Sequence, residues 1–271
     1  MQPGATFSAF ERAGWDEQAN GYDRMLGRVT ARIVDPLLDA AGVGPASRVV
    51  DVACGPGDAT AAAAARGARA VGIDVAAMML QVARRRHRGL AFLQATAEAL
   101  PFASGSVDAV VGGFLVHHLA EPVPVLREFA RVLAPGGRVA LTAWDLPERC
   151  PLVGILVDAV AEVGAPPPAD LPPGPPFFQF SADDAFAGLL AAGGFGAVDV
   201  HTVAFAHPVA DAGELWNGLI RGTVRSSALV VRQPDGVQRA IRAAFDRLAG
   251  RYADGSRLAV PVSVKLATGH V

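Results

Sequence analysis

A glycine-rich turn flanked by carboxylates is the first part of this chain able to do chemistry. Asp51, Val52, Ala53, Cys54, Gly55, Pro56, Gly57 and Asp58 lead from an apolar run into an alanine-rich one. A glycine turn between a strand and a helix, with an acid closing the next strand, is the layout of a nucleotide-cofactor site on an α/β sheet. The acid is Asp74, 23 positions after Asp51. A carboxylate there can accept both hydroxyls of a ribose. A dinucleotide site would put a third glycine where Thr60 stands and rest its pyrophosphate on the open helix N-terminus. Asp58 stands at that end instead, where it is expected to cap the helix and repel a diphosphate. With Asp51 at its mouth, the turn suits a cofactor that carries positive charge and no phosphate.

A second set of residues can move a proton. His117 and His118 fall just past the fourth expected strand, at the carboxyl edge of the sheet where such folds bind ligands. An imidazole titrates near neutrality, so either can act as a general base, or the pair can simply fix its loop. Asp145 ends the fifth strand, where it can orient a substrate, act as a base or only start a turn. His201 and His207 flank the sixth strand and read more readily as surface or core residues. Trp216, Arg221 and Arg225 recur near helical spacing, as an acceptor-pocket face or as a core Trp with solvated arginines. The basic cluster Arg84, Arg85, Arg86, His87 and Arg88 falls at an expected helix end, where cations complement the dipole.

These residues need a scaffold, and residues 45–145 supply its pattern: short apolar runs alternate with longer amphipathic ones, as in a parallel sheet wrapped by helices. Strands are expected at 48–53, 70–74, 90–94, 107–113 and 138–144, with helices at 59–66, 78–86 and 122–133 between them. Pro135, Gly136 and Gly137 are expected to end the last of these helices. Further helices are expected at 151–164, 181–192, 211–225 and 236–248, and strands at 197–205 and 258–266. Residues 166–176 hold seven prolines in eleven positions and can only be an extended connector or lid.

Composition narrows the function. Of 271 residues, 51% are hydrophobic and 18% charged, enough to bury a core and to exclude wholesale disorder. The formal charge of −2 offers no reason to seek a polyanion, so nucleic acid is not an expected partner. The longest apolar stretch, 107–119, is broken by Asp108 and the His pair, so no membrane span and no membrane partner are expected. The first residues lack a basic start and an apolar core, so a secretory signal is not expected and a cytoplasmic setting is. The two cysteines, Cys54 and Cys150, are expected to be free thiols.

Taken in order, residues 49–60 (VVDVACGPGDAT), 72–80 (GIDVAAMML), 94–102 (QATAEALPF) and 107–144 resemble the successive motifs of class I S-adenosylmethionine-dependent methyltransferases. The branch most similar is the ubiquinone and menaquinone biosynthesis methyltransferase-like group. That cofactor carries an ammonium and a sulfonium and no phosphate, as the turn requires. The resemblance implies that Asp51, Ala53, Cys54, Gly55 and Gly57 hold the methionine moiety, that Asp74 with Val75 holds the ribose, and that Met79 packs on adenine. It also implies that Gly113 and Phe114 border the sulfonium. The family usually has an Asp where Thr96 stands. Thr96, Ala97 and Glu98 are therefore the expected adenine contacts, through the Thr hydroxyl or the nearby carboxylate. In some members the residue matching His118 pairs with an N-terminal tyrosine, here Tyr22, which gives His118, Tyr22 and Asp145 as the catalytic candidates. Catechol-type relatives hold magnesium with carboxylates after strand four, whereas Gly112, Gly113, Phe114 and Leu115 stand here, so no metal is expected.

The resulting expectation is one α/β domain over 1–271: a Rossmann-like, seven-stranded, mostly parallel sheet with helices on both faces and a helical cap. Its core would be 45–145, 181–206 and 256–268, and its cap 1–44, 146–180 and 207–255; the reversed last strand comes from the resemblance. Phe7, Phe10, Trp15, Phe177, Phe178 and Phe180 suggest an apolar, aromatic or quinone-like small-molecule acceptor, or equally cap core. The expected reaction is methyl transfer to that acceptor, with oxygen as the expected atom and S-adenosyl-L-homocysteine as product, by a monomer or homodimer. A non-methylating cyclase that retains the cofactor, a NAD-dependent oxidoreductase and a regulatory protein with a vestigial site are the rivals.

Overall fold

The computed structural model describes residues 3–271. Eight strands form one sheet: β1 (Arg48–Val52), β2 (Arg69–Asp74), β3 (Ala91–Gln94), β4 (Val107–Gly112), β5 (Leu133–Trp144), β6 (Gly196–Val209), β7 (Ala253–Asp254) and β8 (Arg257–His270). Their order is β3-β2-β1-β4-β5-β8-β6, with β7 paired to β8. The first five run parallel, and β8 lies antiparallel to both β5 and β6. The reversed last strand is thus as expected, and the strand count is eight where seven were expected. The extra strand is a two-residue hairpin arm turning at Gly255, too short to leave an alternating pattern.

Alternating residues of the central strands feed two cores, which is why these strands read as unbroken apolar runs. Val50, Val52, Val110 and Leu141 face α6 (Pro122–Val132) and α8 (Asp183–Ala192), meeting Leu126, Phe129 and Phe186. Val49, Ala109, Val111 and Ala140 face α3 (Val34–Ala40) and α4 (Asp58–Ala65), meeting Leu37, Leu38 and Ala63. Residues 34–44 therefore belong to the sheet's layer rather than to the cap. The Pro135–Gly137 run does not precede β5 but lies inside it, where the pairing with β4 shifts register after Val107↔Leu133.

A third core builds the cap. Leu26 of α2 (Leu26–Thr30), Leu156 of α7 (Pro151–Val163), Leu219 of α9 (Ala212–Gly222), Val230 of α10 (Arg225–Val231) and Phe245 of α11 (Asp235–Ala249) bury against one another over the β8 end. The N-terminal α1 (Pro3–Tyr22) crosses to the other side, packing Trp15, Ala19 and Tyr22 on Met79 and Val82 of α5 (Ala77–Arg86). The basic end of α5 does more than answer its dipole. Arg86 pairs with Asp23 after α1 at 2.7 Å and with Asp58 of α4 at 2.6 Å, while Arg85 bonds Asn20. The proline-rich 166–176 segment carries no helix or strand, and Arg225 pins it by donating to the Pro172 carbonyl at 2.7 Å.

Candidate active site

The turn after β1 is shaped by its backbone. Ala53, Gly55 and Gly57 all take positive φ, at 57°, 51° and 89°. Gly57 is glycine for two reasons: its φ, and a Cβ there would meet the Phe92 ring at 2.8 Å. It opens α4 as a bare cap, with no side-chain hydrogen bond to the helix. The expectation that Asp58 caps this helix is corrected, because its carboxylate is engaged by Arg86 through two hydrogen bonds. Thr60, in the third-glycine position, donates to Asp51 at 2.6 Å. Burial pushes the Asp51 carboxyl up to about 7, against the pull of that bond.

Asp74, at the end of β2, accepts from the Gly55 N–H at 2.9 Å on one oxygen and from the Ala76 N–H at 2.8 Å on the other. The carboxylate is held across the turn, with the Val75 N–H as a further donor, and it keeps acceptor capacity to spare. Burial raises it to about 6 despite those donors. Asp74, Val75, Met79, Thr96, Ala97, Glu98, Ala53, Gly55, Gly113 and Phe114 all line one large cavity at the carboxyl edge of the sheet. Asp51 and Cys54 line a smaller adjoining recess that shares Ala53, Gly55, Gly113 and Phe114 with it. Gly57 lines neither; it packs against Phe92 and His87, so its part is to shape the turn. Cys54 and Cys150 are free, as expected; both are also buried, which raises both thiols.

The same cavity continues under the cap. After β4, Phe114 takes φ 57° and donates its N–H to Thr142 Oγ1 at 2.9 Å, its ring lying on Trp144 at 4.1 Å. The short helical turn Val116–His118 then delivers both histidines to the wall. His118 Nδ1 lies 2.8 Å from Oε2 of Glu11, a buried residue of α1. A carboxylate only accepts, so in the neutral imidazole the proton lies on Nδ1 and Nε2 keeps its lone pair.

Two catalytic candidates do not meet His118. The Tyr22 hydroxyl does not meet His118: it donates to Thr30 Oγ1 at 3.1 Å, and the Trp15 ring packs edge-on against both Tyr22 and His118, at 5.6 and 5.1 Å. Burial lifts that phenol to about 12, although Tyr22 does line the cavity. Asp145 is fully buried and outside the lining; it accepts from Ser263 Oγ and the Leu146 N–H, each at 2.8 Å, with Lys265 at 3.9 Å. Its carboxylate ties β5 to β8. Sequence reasoning missed Glu11, whose only signal is the helical spacing of Phe7, Glu11 and Trp15.

Other residues settle into structural places. Trp216 packs on Phe245 under Arg242, and His201 faces solvent near Asp199. His207 is buried away from the cavity. Of the six aromatic residues expected to enclose an acceptor, Phe7, Trp15 and Phe177 line the cavity; Phe10 stacks under Arg232, Phe178 edges Phe177, and Phe180 joins Phe186 in the core. No helix among the described residues is long and apolar enough to cross a membrane.

Comparison with known proteins agrees with the motif reading. Residues 50–141 match the family model described as a methyltransferase domain. A demethylmenaquinone methyltransferase of Beutenbergia cavernae is 37% identical over 48% of this chain and 52% of its own length. The chain spans 47–65% of the length of three such relatives. Among solved structures, a putative methyltransferase from an antibiotic biosynthesis pathway of Anabaena variabilis superposes with a TM-score of 0.61 at 17% identity, over 87% of this chain and 96% of its own. The [4+2]-cyclase SpnF shares the fold at a TM-score of 0.53 and 20% identity, over 88% of this chain and 80% of its own. The resemblance to class I S-adenosylmethionine-dependent methyltransferases and the Rossmann-like fold both hold.

Proposed function

We propose that this protein transfers a methyl group from S-adenosylmethionine to a hydroxyl of an apolar, largely aromatic small molecule. One observation carries the reading: the Glu11–His118 pair and the pinned Asp74 carboxylate open onto a single cavity. Asp74 offers its remaining acceptor capacity to the ribose hydroxyls, and Met79 with Thr96, Ala97 and Glu98 walls the adenine side. Asp51 and Asp74 favour a cationic ligand at the turn, where a diphosphate would be repelled. Arg86, beside the helix start, is already paired with two carboxylates and is not available to offset that repulsion.

S-adenosylmethionine, when bound, supplies a methyl group on a sulfonium whose leaving thioether is neutral. This chain's residues supply alignment, dryness and the proton acceptor. The cap helices and Phe177 close over the sheet edge and exclude water from the acceptor half. His118 takes the hydroxyl proton on Nε2 as the oxygen bonds to the methyl carbon, and Glu11 holds the imidazole in that tautomer. The relatives named for demethylmenaquinone support a quinone-like acceptor frame.

The test is a mass-spectrometric comparison of small molecules from cells with and without the gene, followed by incubation of the purified protein with the candidate and S-adenosylmethionine. A metabolite gaining one methyl group only with the protein present is the expected result. Conversion without consumption of the methyl donor would point instead to the cyclase-type chemistry that the same sheet supports elsewhere.

A further inference from the structure

His117 is a buried polar residue of the cavity wall that the mechanism above does not use. It is 3% exposed, lines the cavity, and lies with its ring 4.2 Å from that of His118 and 4.4 Å from Phe177. Its Nδ1 is sealed from solvent and has no hydrogen-bond partner. Burial, with the neighbouring His118 adding to it, holds this imidazole well below its ordinary pKa, so it stays neutral. A neutral imidazole carries one proton. A sealed N–H without an acceptor is a rarer and costlier orphan than a sealed lone pair, so the proton belongs on Nε2. His117 then addresses the cavity only as a donor, while His118, its Nδ1–H given to Glu11, addresses it only as an acceptor.

We infer that the two adjacent imidazoles, their planes tilted 55° to each other, read a pair of oxygens on the acceptor: His118 takes the hydroxyl to be methylated, and His117 donates from Nε2–H to an uncharged neighbouring oxygen, a carbonyl or an ether. The inference rests on the proposed function for the direction of chemistry, and it narrows the substrate class to an apolar aromatic frame with a hydroxyl beside a pure hydrogen-bond acceptor. His117 is accordingly a specificity-determining residue. A frame with carbon in place of the second oxygen leaves a buried donor unpaired, which costs about ten-fold in affinity.

The test uses the full chain loaded with S-adenosylhomocysteine and two probes of the same shape, 2-methoxy-1-naphthol and 2-ethyl-1-naphthol. Binding is read from the fluorescence of Trp15 and Trp144, which line the cavity. The methoxy probe is expected to bind about ten-fold tighter. H117F is expected to erase the difference and H117Q, which keeps a donor, to retain part of it. Nitrogen-15 NMR of the histidines in the wild-type protein gives a readout that needs no variant: His117 as the Nε2–H tautomer and His118 as the Nδ1–H tautomer. Equal binding of the probes, binding of neither, a preference that survives H117F, or an Nδ1–H tautomer at His117 would each overturn the inference. Failure of methyl transfer with the tautomers and the preference intact would instead strike the proposed reaction.

Discussion

The two halves of the cavity are built on opposite plans. The cofactor half is made by strand ends and the turns and helix starts that follow them: Asp74 is held by Gly55 and Ala76, and Asp51 by Thr60 of α4. The acceptor half is made where distant segments meet, as when Glu11 of α1 reaches His118 across 107 positions. The first draws its hydrogen bonds from segments close to the strands in sequence. The second is a side-chain device whose chemistry depends on which cap is present. A sheet of this kind can therefore keep one cofactor while its acceptor varies.

The sharpest way to break this division is to damage one half and look for effects in the other. His118→Ala is expected to lower turnover by about 10²- to 10⁴-fold, the worth of a general base, while leaving S-adenosylhomocysteine affinity unchanged by calorimetry. Glu11→Gln is expected to lose about ten- to a hundred-fold in turnover, as for other residues that orient a working imidazole. If either variant lost cofactor binding instead, the halves would not be separate.

The reciprocal change is Asp74→Ala. It removes a charge-assisted acceptor pair, so cofactor affinity is expected to fall about ten- to a hundred-fold, with binding of the methoxynaphthol probe retained. Unaltered affinity would remove the ribose assignment.

A third comparison uses pH. Asp51 and Asp74 are raised to about 7 and about 6 in the folded protein, so they hold more protons there than in the unfolded chain. Their contribution to the stability of the unliganded protein is full below about pH 4 and is lost as pH rises through 6 to 7. His117 works in the opposite sense, which makes the difference between wild type and Asp51→Asn the clean measurement. The variant is expected to gain in melting temperature relative to wild type between pH 5 and pH 8. Over the same window affinity for the cationic cofactor is expected to rise in the wild type, as the carboxylates ionise. An affinity independent of pH would separate these carboxylates from the ligand.

The smallest expected effect comes from Tyr22→Phe. The hydroxyl is satisfied by Thr30 and does not meet His118, so the variant is expected to lose about 1 kcal/mol of stability by chemical denaturation and to keep most of its turnover. A collapse of turnover would restore the tyrosine to the chemistry.

What could be read in the sequence follows the same division. The turn, Asp74 and the chain positions of the first five strands were legible because their residues act locally and lie within single motifs. Thr60 was legible as a departure from a dinucleotide pattern, though not as the clamp on Asp51. The partner of His118 was not legible, since nothing local distinguishes Glu11 from an exposed helical acid until α1 docks. Asp145 misled for the same reason: a strand-end acid looks alike whether it faces a cavity or, as here, Ser263 and Lys265. The Asp58 carboxylate was placed correctly at the helix start but assigned the wrong partner, because Arg86 arrives from the next helix.

On the proposed function, the turn after β1 holds a sulfonium nucleoside or its thioether product and not a phosphate-bearing nucleotide. Isothermal calorimetry of the wild-type protein against S-adenosylmethionine, S-adenosylhomocysteine and NADH tests it most directly. The expected result is a saturable one-to-one isotherm with the first two and no heat with NADH. A clear isotherm with NADH and none with either nucleoside thioether would contradict it.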